Sequence, residues 1–295
     1  MELLQLHYFR TVAKVEQITK AAQELNIAQP SLSKTIARLE ENIGVPLFDR
    51  QGRTIRLNAY GRVLLKRVEH IFQEIEEANR EIRDLSGLDK GIITIAVSLT
   101  NLLPDMLGAF LTQHPNVHFR QVVEPVSVMK QLLESGEIDM CLTFAEIDGP
   151  DIEWKPLRTE EVKLLVPDHH PLAGRESVHV SELRDESFIG VRPGYWFRQW
   201  TDGLCMKAAG FVPHTTIEVD EVDAVLLLFK QGHGLVLSPD LAWQSRMDLS
   251  KNTVRIADLG GQLTLGLAWS RKHYLSFAAQ RFHEFVIDYF SSIKP

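Results

Sequence analysis

Over residues 64–85 the apolar side chains fall at Leu64, Val68, Ile71, Ile75, Ala78, Ile82 and Leu85, in alternating steps of four and three. This is a heptad seam over three repeats, in a stretch without proline, and it predicts a helix of about 28 residues, roughly 42 Å long. A rod so thin cannot bury its own stripe. The strict repeat favours the same helix of a second chain, making this a homo-oligomer; packing against the helix's own domain is the alternative. At 295 residues the chain is too long for one ordinary compact domain and is comfortable as a small domain before this helix and a two-lobed larger one after it.

Before the seam the periodicity is short-range and helical. Leu6, Phe9, Val12 and Ala13 predict a helix over residues 4–14. Thr19 is placed to cap a second, short helix through Ala21 and Ala22 to Leu25, and Asn26 and Ile27 make the turn that follows. A proline is tolerated in a first helical turn, so Pro30 sets the start of a third helix near Gln29, which runs to residue 42 or 43 before Gly44. Leu32, Ile36, Leu39 and Ile43 form its apolar stripe. Its other face carries Pro30, Lys34 and Ala37, flanked by Ser33 and Arg38. Small, hydrogen-bonding and cationic groups on an outward face suit a helix in a DNA major groove. Residues 47–57, with Arg50, Gly52, Arg53 and Arg56, predict a basic hairpin that reaches backbone or minor groove as a wing.

The charge distribution agrees. Residues 1–67 hold 11 Lys and Arg against 6 Asp and Glu, a local +5; the whole chain holds 32 against 39, so the remainder holds 21 against 33, or −12. Attraction to phosphate depends on the nearby field, which is positive only at this end.

The run Ala28-Gln29-Pro30-Ser31-Leu32-Ser33-Lys34, followed by Leu39-Glu40 and by Gly44-Val45-Pro46-Leu47-Phe48-Asp49-Arg50, resembles the LysR-type transcriptional regulators. Two departures are Ala28, where the family usually has Ser or Thr, which weakens the cap of the recognition helix, and Asn58-Ala59-Tyr60-Gly61 in place of Thr-Pro-x-Gly. The resemblance implies a winged helix-turn-helix, a dimerising linker helix and a periplasmic-binding-protein-like effector domain. The DNA-contacting set expected here is Gln29, Pro30, Ser31, Ser33, Lys34, Arg38, Arg50 and Arg53, with Gln29 and Ser33 on base edges and Lys34, Arg50 and Arg53 on phosphates. A winged helix used only for protein contacts is the alternative.

After the segment 87–91 the texture alternates. Residues 92–97 predict a strand, 103–114 a helix, 117–123 a strand, 126–134 a helix and 138–144 a strand; the rhythm resumes at 188–191, 197–209, 215–219, 222–231 and 235–238 and ends with a strand at 263–269 and a helix at 277–290. Such alternation implies α/β lobes around largely parallel sheets. Extended stretches near Leu164 and Leu263 are the expected crossovers. The expected division is a winged helix-turn-helix over 1–58, the linker helix over 59–88 and the effector domain over 89–295, with lobe one about 91–162 and 266–295 and lobe two about 163–265. The resemblance extends here more loosely, through Gly136-Glu137-Ile138-Asp139, His170-Pro171-Leu172-Ala173 and Gly232-His233-Gly234-Leu235.

Catalytic signatures are missing: there is no Gly-x-Ser-x-Gly elbow, Walker loop or Gly-x-Gly-x-x-Gly fingerprint. His169-His170 has no completing ligand set and reads as a loop before Pro171, so no metal is expected. Asp220, Glu221 and Asp223 sit where a helix starts and complement its dipole. The expectation is therefore no enzyme, no catalytic residue and no cofactor. Cys141 and Cys205 lie outside any Cys-x-x-Cys spacing, which fits a reducing compartment; the acidic start lacks a signal-peptide pattern and no apolar run reaches membrane length, so a cytoplasmic protein is expected.

Open α/β sheets bind ligands at the carboxyl ends of their strands. That rule selects Ser98, Thr100, Ser127 and Phe144 in lobe one, and Tyr195, Trp196, Phe197 and Arg198 across the cleft, where the aromatic residues read equally as lobe core. Amides at a helix start, with Arg192 or Arg198 opposite, would favour a small anionic metabolite as effector. A cytosolic enzyme on a binding-protein scaffold and a constitutive DNA-binding protein without an effector are the rival readings.

Overall fold

The computed structural model describes residues 1–51, 54–85, 91–98, 100–243 and 247–292. They form two compact units, Met1–Ile82 and Arg83–Pro295.

The first unit starts with three helices, α1 (Leu3–Val15), α2 (Ile18–Glu24) and α3 (Gln29–Ile43). Leu6, Phe9 and Val12 of α1 meet Ala21 and Ala22 of α2 and Leu32, Ile36 and Leu39 of α3 in one buried core. The two alanines allow that close approach. Thr19 does not cap α2: the capping position is Gln17, without a side-chain bond, and Thr19 lies inside the helix. Asn26 turns the chain toward α3 with φ 53°, a left-handed conformation that asparagine tolerates better than most residues. Ala28 caps α3 without any side-chain hydrogen bond, and Gly44 ends it at φ 86°.

Strands β1 (Phe48–Gln51) and β2 (Thr54–Leu57) pair antiparallel, with Gln51 opposite Thr54. Phe48 anchors this hairpin on Phe9, ring centroids 5.4 Å apart. Arg50 stands opposite Ile55; its side chain, and the whole of Gly52 and Arg53, lie outside the described residues. The helix α4 (Ala59–Leu85) follows. Asn58 caps it, accepting from the Gly61 N–H at 2.9 Å and donating to the Pro46 carbonyl at 2.8 Å. Gly61 has no room for a side chain, since a Cβ would fall 2.2 Å from the Leu47 carbonyl oxygen.

One part of the expected dimer seam is corrected. Val68 is fully buried in the core of the first unit, and Leu64 packs partly against that core. A second chain cannot reach a side chain with no exposed area. Ile71, Ile75, Ala78 and Ile82 are exposed.

In the second unit β3 (Ile92–Val97) leads through a 3-10 turn (Thr100–Leu102) into α5 (Leu103–Gln113), β4 (His118–Val122), α6 (Val126–Ser135) and β5 (Met140–Thr143). β3 lies between β4 and β5, parallel to both. Then comes β6 (Ile152–Leu165), fourteen residues long, where the sequence showed only an extended stretch. β7 (Ser177–Val178), β8 (Ser187–Val191), α7 (Trp196–Ala209), β9 (His214–Val219), α8 (Val222–Lys230), β10 (Val236–Pro239) and β11 (Thr253–Ile256) build the second lobe. β12 (Gln262–Ser270) returns antiparallel along β6, from Gln262 opposite Glu161 to Ser270 opposite Ile152, and α9 (Phe277–Ser292) closes the fold.

The two crossovers are thus one pair of long strands. Their register slips between Leu265 and Gly266, and at Gly266 a Cβ would sit 2.2 Å from the Trp154 ring. Main-chain pairing continues on the second-lobe side, where β10 and β11 both join β6. One core runs through both lobes, from Ile93, Ile95 and Phe110 to Phe188, Leu226 and Phe229.

Candidate functional site

Burial of Leu32, Ile36 and Leu39 turns the opposite side of α3 outward. Gln29, Pro30, Ser31, Lys34 and Arg38 are exposed and Ser33 is half-buried. Gln29 Nε2 donates to Ser33 Oγ at 2.8 Å, so the two expected base readers form one unit, leaving the Gln29 carbonyl oxygen and the Ser33 hydroxyl proton outward. Among the described residues neither Lys34 nor Arg38 has an ionic partner. Of the wing cations, Arg56 lies 4.0 Å from Glu16 with both side chains largely exposed, which screens the pair and makes it weak.

In the second unit the parallel strands β4, β3 and β5 bring their carboxyl ends to one edge. Ser98 is tied there twice: its N–H donates to the Leu142 carbonyl at 3.0 Å and its Oγ accepts from the Phe144 N–H at 3.4 Å. Thr100 opens the 3-10 turn ahead of α5 and is half-buried. Ser127 is exposed in the first turn of α6. Phe144 is not open to a cleft; it is 8% exposed and belongs to the large core.

Across the second lobe the expected anion-binding cations are already committed. Arg198 Nε donates to both carboxylate oxygens of Asp202, at 2.8 and 2.9 Å, and its Nη1 contacts Glu218 at 3.4 Å and the Val191 carbonyl at 3.3 Å. Arg192 pairs with Asp220. Arg198, expected to face an anion, is instead paired with two carboxylates, which offset its charge. Tyr195 precedes α7 and donates its hydroxyl to the Asp220 carbonyl at 3.2 Å. Trp196 and Phe197 stack with Trp200, at 5.9 and 6.3 Å, and pack against the lobe core. Core is therefore the reading these two rings support.

Sequence reasoning passed over a part-buried charge cluster at the lobe junction. Arg158 and Glu160 of β6 lie 2.8 Å apart, and Lys163 meets Asp240 at 2.6 Å. Glu160 accepts from the Leu241 N–H at 2.8 Å. Burial pushes its carboxyl above the usual range, against the lowering effects of that N–H and of Arg158. Among the described residues Arg158 Nη1, Asp240 Oδ1 and Trp243 Nε1 are buried without a hydrogen-bond partner. The 3-10 turn at Thr100 lies against the turn Asp240–Ala242, which carries Asp240 and is followed by Trp243. Its only local signal was the Arg158-Thr159-Glu160 alternation, because Asp240 is 77 residues from Lys163.

The other chemistry-bearing residues are structurally occupied. His170 accepts from the Leu172 N–H on Nδ1 and meets Glu186 through Nε2 at 3.1 Å, while the His169 ring fills the space beside Gly232. Among the described residues no group of three His, Cys, Asp or Glu could hold a metal ion, and no helix is long and apolar enough to cross a membrane. Glu221 stands at the capping position of α8 and Asp223 in its first turn.

Comparison with known proteins matches residues 3–62 to the family described as bacterial regulatory helix-turn-helix protein, lysR family, and residues 86–291 to the LysR substrate binding domain. The HTH-type transcriptional regulator YybE of Bacillus subtilis is 37% identical over 99% of this chain and 100% of its own length. The transcriptional dual regulator GltC of the same organism is 32% identical over 100% of this chain and 99% of its own. Among solved structures, full-length CbnR in complex with its target DNA is 25% identical with a TM-score of 0.69, covering 97% of this chain and 99% of that one.

Proposed function

The chain belongs to the LysR family of bacterial transcriptional regulators, and from that premise we propose that it reads promoter DNA with α3, dimerises through the exposed part of α4 and takes a small-molecule effector at the junction of its two α/β lobes. It is a regulator and not an enzyme. The observation that carries the DNA reading is the outward face of α3: Gln29, Ser33, Lys34 and Arg38 are presented by a helix whose other face is buried at Leu32, Ile36 and Leu39. A hydrogen-bonding centre flanked by cations that, among the described residues, have no ionic partner is the arrangement a major groove and its phosphates call for. The cytoplasm, where the DNA is, is its place of action.

For the effector, the free polar atoms of Arg158, Asp240 and Trp243 and the hydroxyl of Thr100 support a small polar metabolite. Its acceptor groups would meet Arg158 and Trp243, rather than the internally paired Arg192 and Arg198. Orphaned buried polar groups are costly, and a ligand that satisfies them in one arrangement of the lobes and not in another has the differential affinity a switch requires.

Genomic footprinting of the full-length protein tests the DNA reading. Enriched sites are expected to hold paired half-sites spaced by whole helical turns, about 34 Å or multiples of it; random occupancy would refute it. A thermal-shift screen of polar metabolites, repeated on Thr100→Val, tests the effector site: equal stabilisation of both proteins by the active metabolite would place the pocket elsewhere.

A further inference from the structure

The last turn of α4 is fastened to the far end of the chain by one carboxylate. Asp84 Oδ2 accepts the backbone N–H of Phe277, the first residue of α9, at 2.9 Å, and the hydroxyl of Tyr274, also at 2.9 Å. The first N–H groups of a helix have no partner within it and carry partial positive charge, so a carboxylate there satisfies a donor and complements the dipole. Ser276 caps the same turn from within, its Oγ accepting from the Ala279 N–H at 3.2 Å. Beside them a Cβ on Gly91 would fall 2.3 Å from that of Ala278, so the chain also enters β3 in direct contact with α9.

Contacts continue from this clasp toward the proposed effector site. Phe282 and Phe285 of α9 meet Phe110 of α5 edge to face, at 4.9 and 5.2 Å. α5 directly continues the turn that starts at Thr100. Tightly packed aromatic contacts of this kind move as a body, because close-packed interiors do not deform gradually.

We propose that Asp84 is the positioning residue through which the effector domain sets the linker helix: a displacement of α5 and α9 on effector binding reaches α4 through the clasp of Asp84 with Tyr274 and Phe277. This rests on the reading of the chain as an effector-controlled DNA-binding regulator. Contiguity supplies the route, and coupling is what variants must measure.

The test uses the full chain and a reporter behind a promoter found by footprinting, grown under the conditions in which the wild type switches on and off. Asp84→Ala is expected to stay dimeric and bind the promoter fragment with wild-type affinity while losing about tenfold in switching range, the size of an ordinary coupling free energy. Asp84→Asn, which keeps an acceptor oxygen, should regain most of that range, and Tyr274→Phe should fall between. Amide hydrogen exchange at Phe277 should speed up in Asp84→Ala and not in Asp84→Asn. Should Asp84→Ala misfold, Tyr274→Phe carries the test. Wild-type switching in the folded variants overturns the proposal. Failure of the wild type to bind any promoter fragment would instead overturn the underlying reading.

Discussion

Gln29 and Ser33 illustrate how a single bond shapes recognition at the residue scale. The 2.8 Å bond between them fixes the Gln29 side chain along α3 before DNA arrives, so less rotamer freedom is lost on binding. Gln29→Ala is expected to relax base preference by about 1–3 kcal/mol. Ser33→Ala keeps the glutamine but frees its rotation and should cost less. Competition of the two variants against sites varied one base at a time measures both, and unchanged preferences in Gln29→Ala would remove it from the base-reading set. Burial governs the thiols in the same direct way. Cys141 and Cys205 are both buried; desolvation pushes the Cys141 thiol far up and raises Cys205 to about 11, with Asp202 adding to the effect. Because the thiolate is the reactive form, iodoacetamide at pH 7 should label neither in the native protein and both after unfolding. Fast native labelling would contradict this and reopen a redox role.

Among the elements, α4 shows what periodicity can and cannot tell. The seam from Leu64 to Leu85 marks an apolar stripe in the sequence, but the pattern does not say what covers it: Val68 is spent on the first unit's own core, whereas Ile71, Ile75 and Ile82 stay 38–63% exposed. The dimer contact is therefore expected in the second half of the helix, and Ile75→Asp, which loses apolar burial and adds an unpaired charge there, should cost about 3 kcal/mol or more of association free energy. Sedimentation of a variant that remains dimeric would move the interface elsewhere. Helices such as α1, α3 and α5 were legible because their signals lie within one or two turns. β6 was not, because its partners β12, β10 and β11 come from the other end of the sequence and its burial does not alternate strictly. The same distance hid the tie between Glu160 and Leu241. The Arg198 pairing was half visible, since Asp202 stands four residues on in a helix, while Glu218 does not.

For the whole molecule the decisive quantity is where charge resides. A chain with net charge −7 is repelled by DNA at long range, yet its first 67 residues carry +5, and at physiological salt the field is screened beyond about 8 Å. Only the cations that touch phosphate then matter. Lys34 and Arg38 are exposed and, among the described residues, without ionic partners, so each is free to displace a counterion from the duplex. Each phosphate contact contributes about 0.9 to the slope of log K against log salt. The double variant Lys34→Ala, Arg38→Ala should therefore lower that slope by about 1.8 and weaken binding alike on promoter and unrelated DNA, leaving the preference between them intact. Fluorescence titration of the full-length protein at several salt concentrations measures slope and preference together. An unchanged slope would mean that α3 lies away from the backbone, and a collapse of preference with little change in slope would make these side chains base readers instead of phosphate clamps.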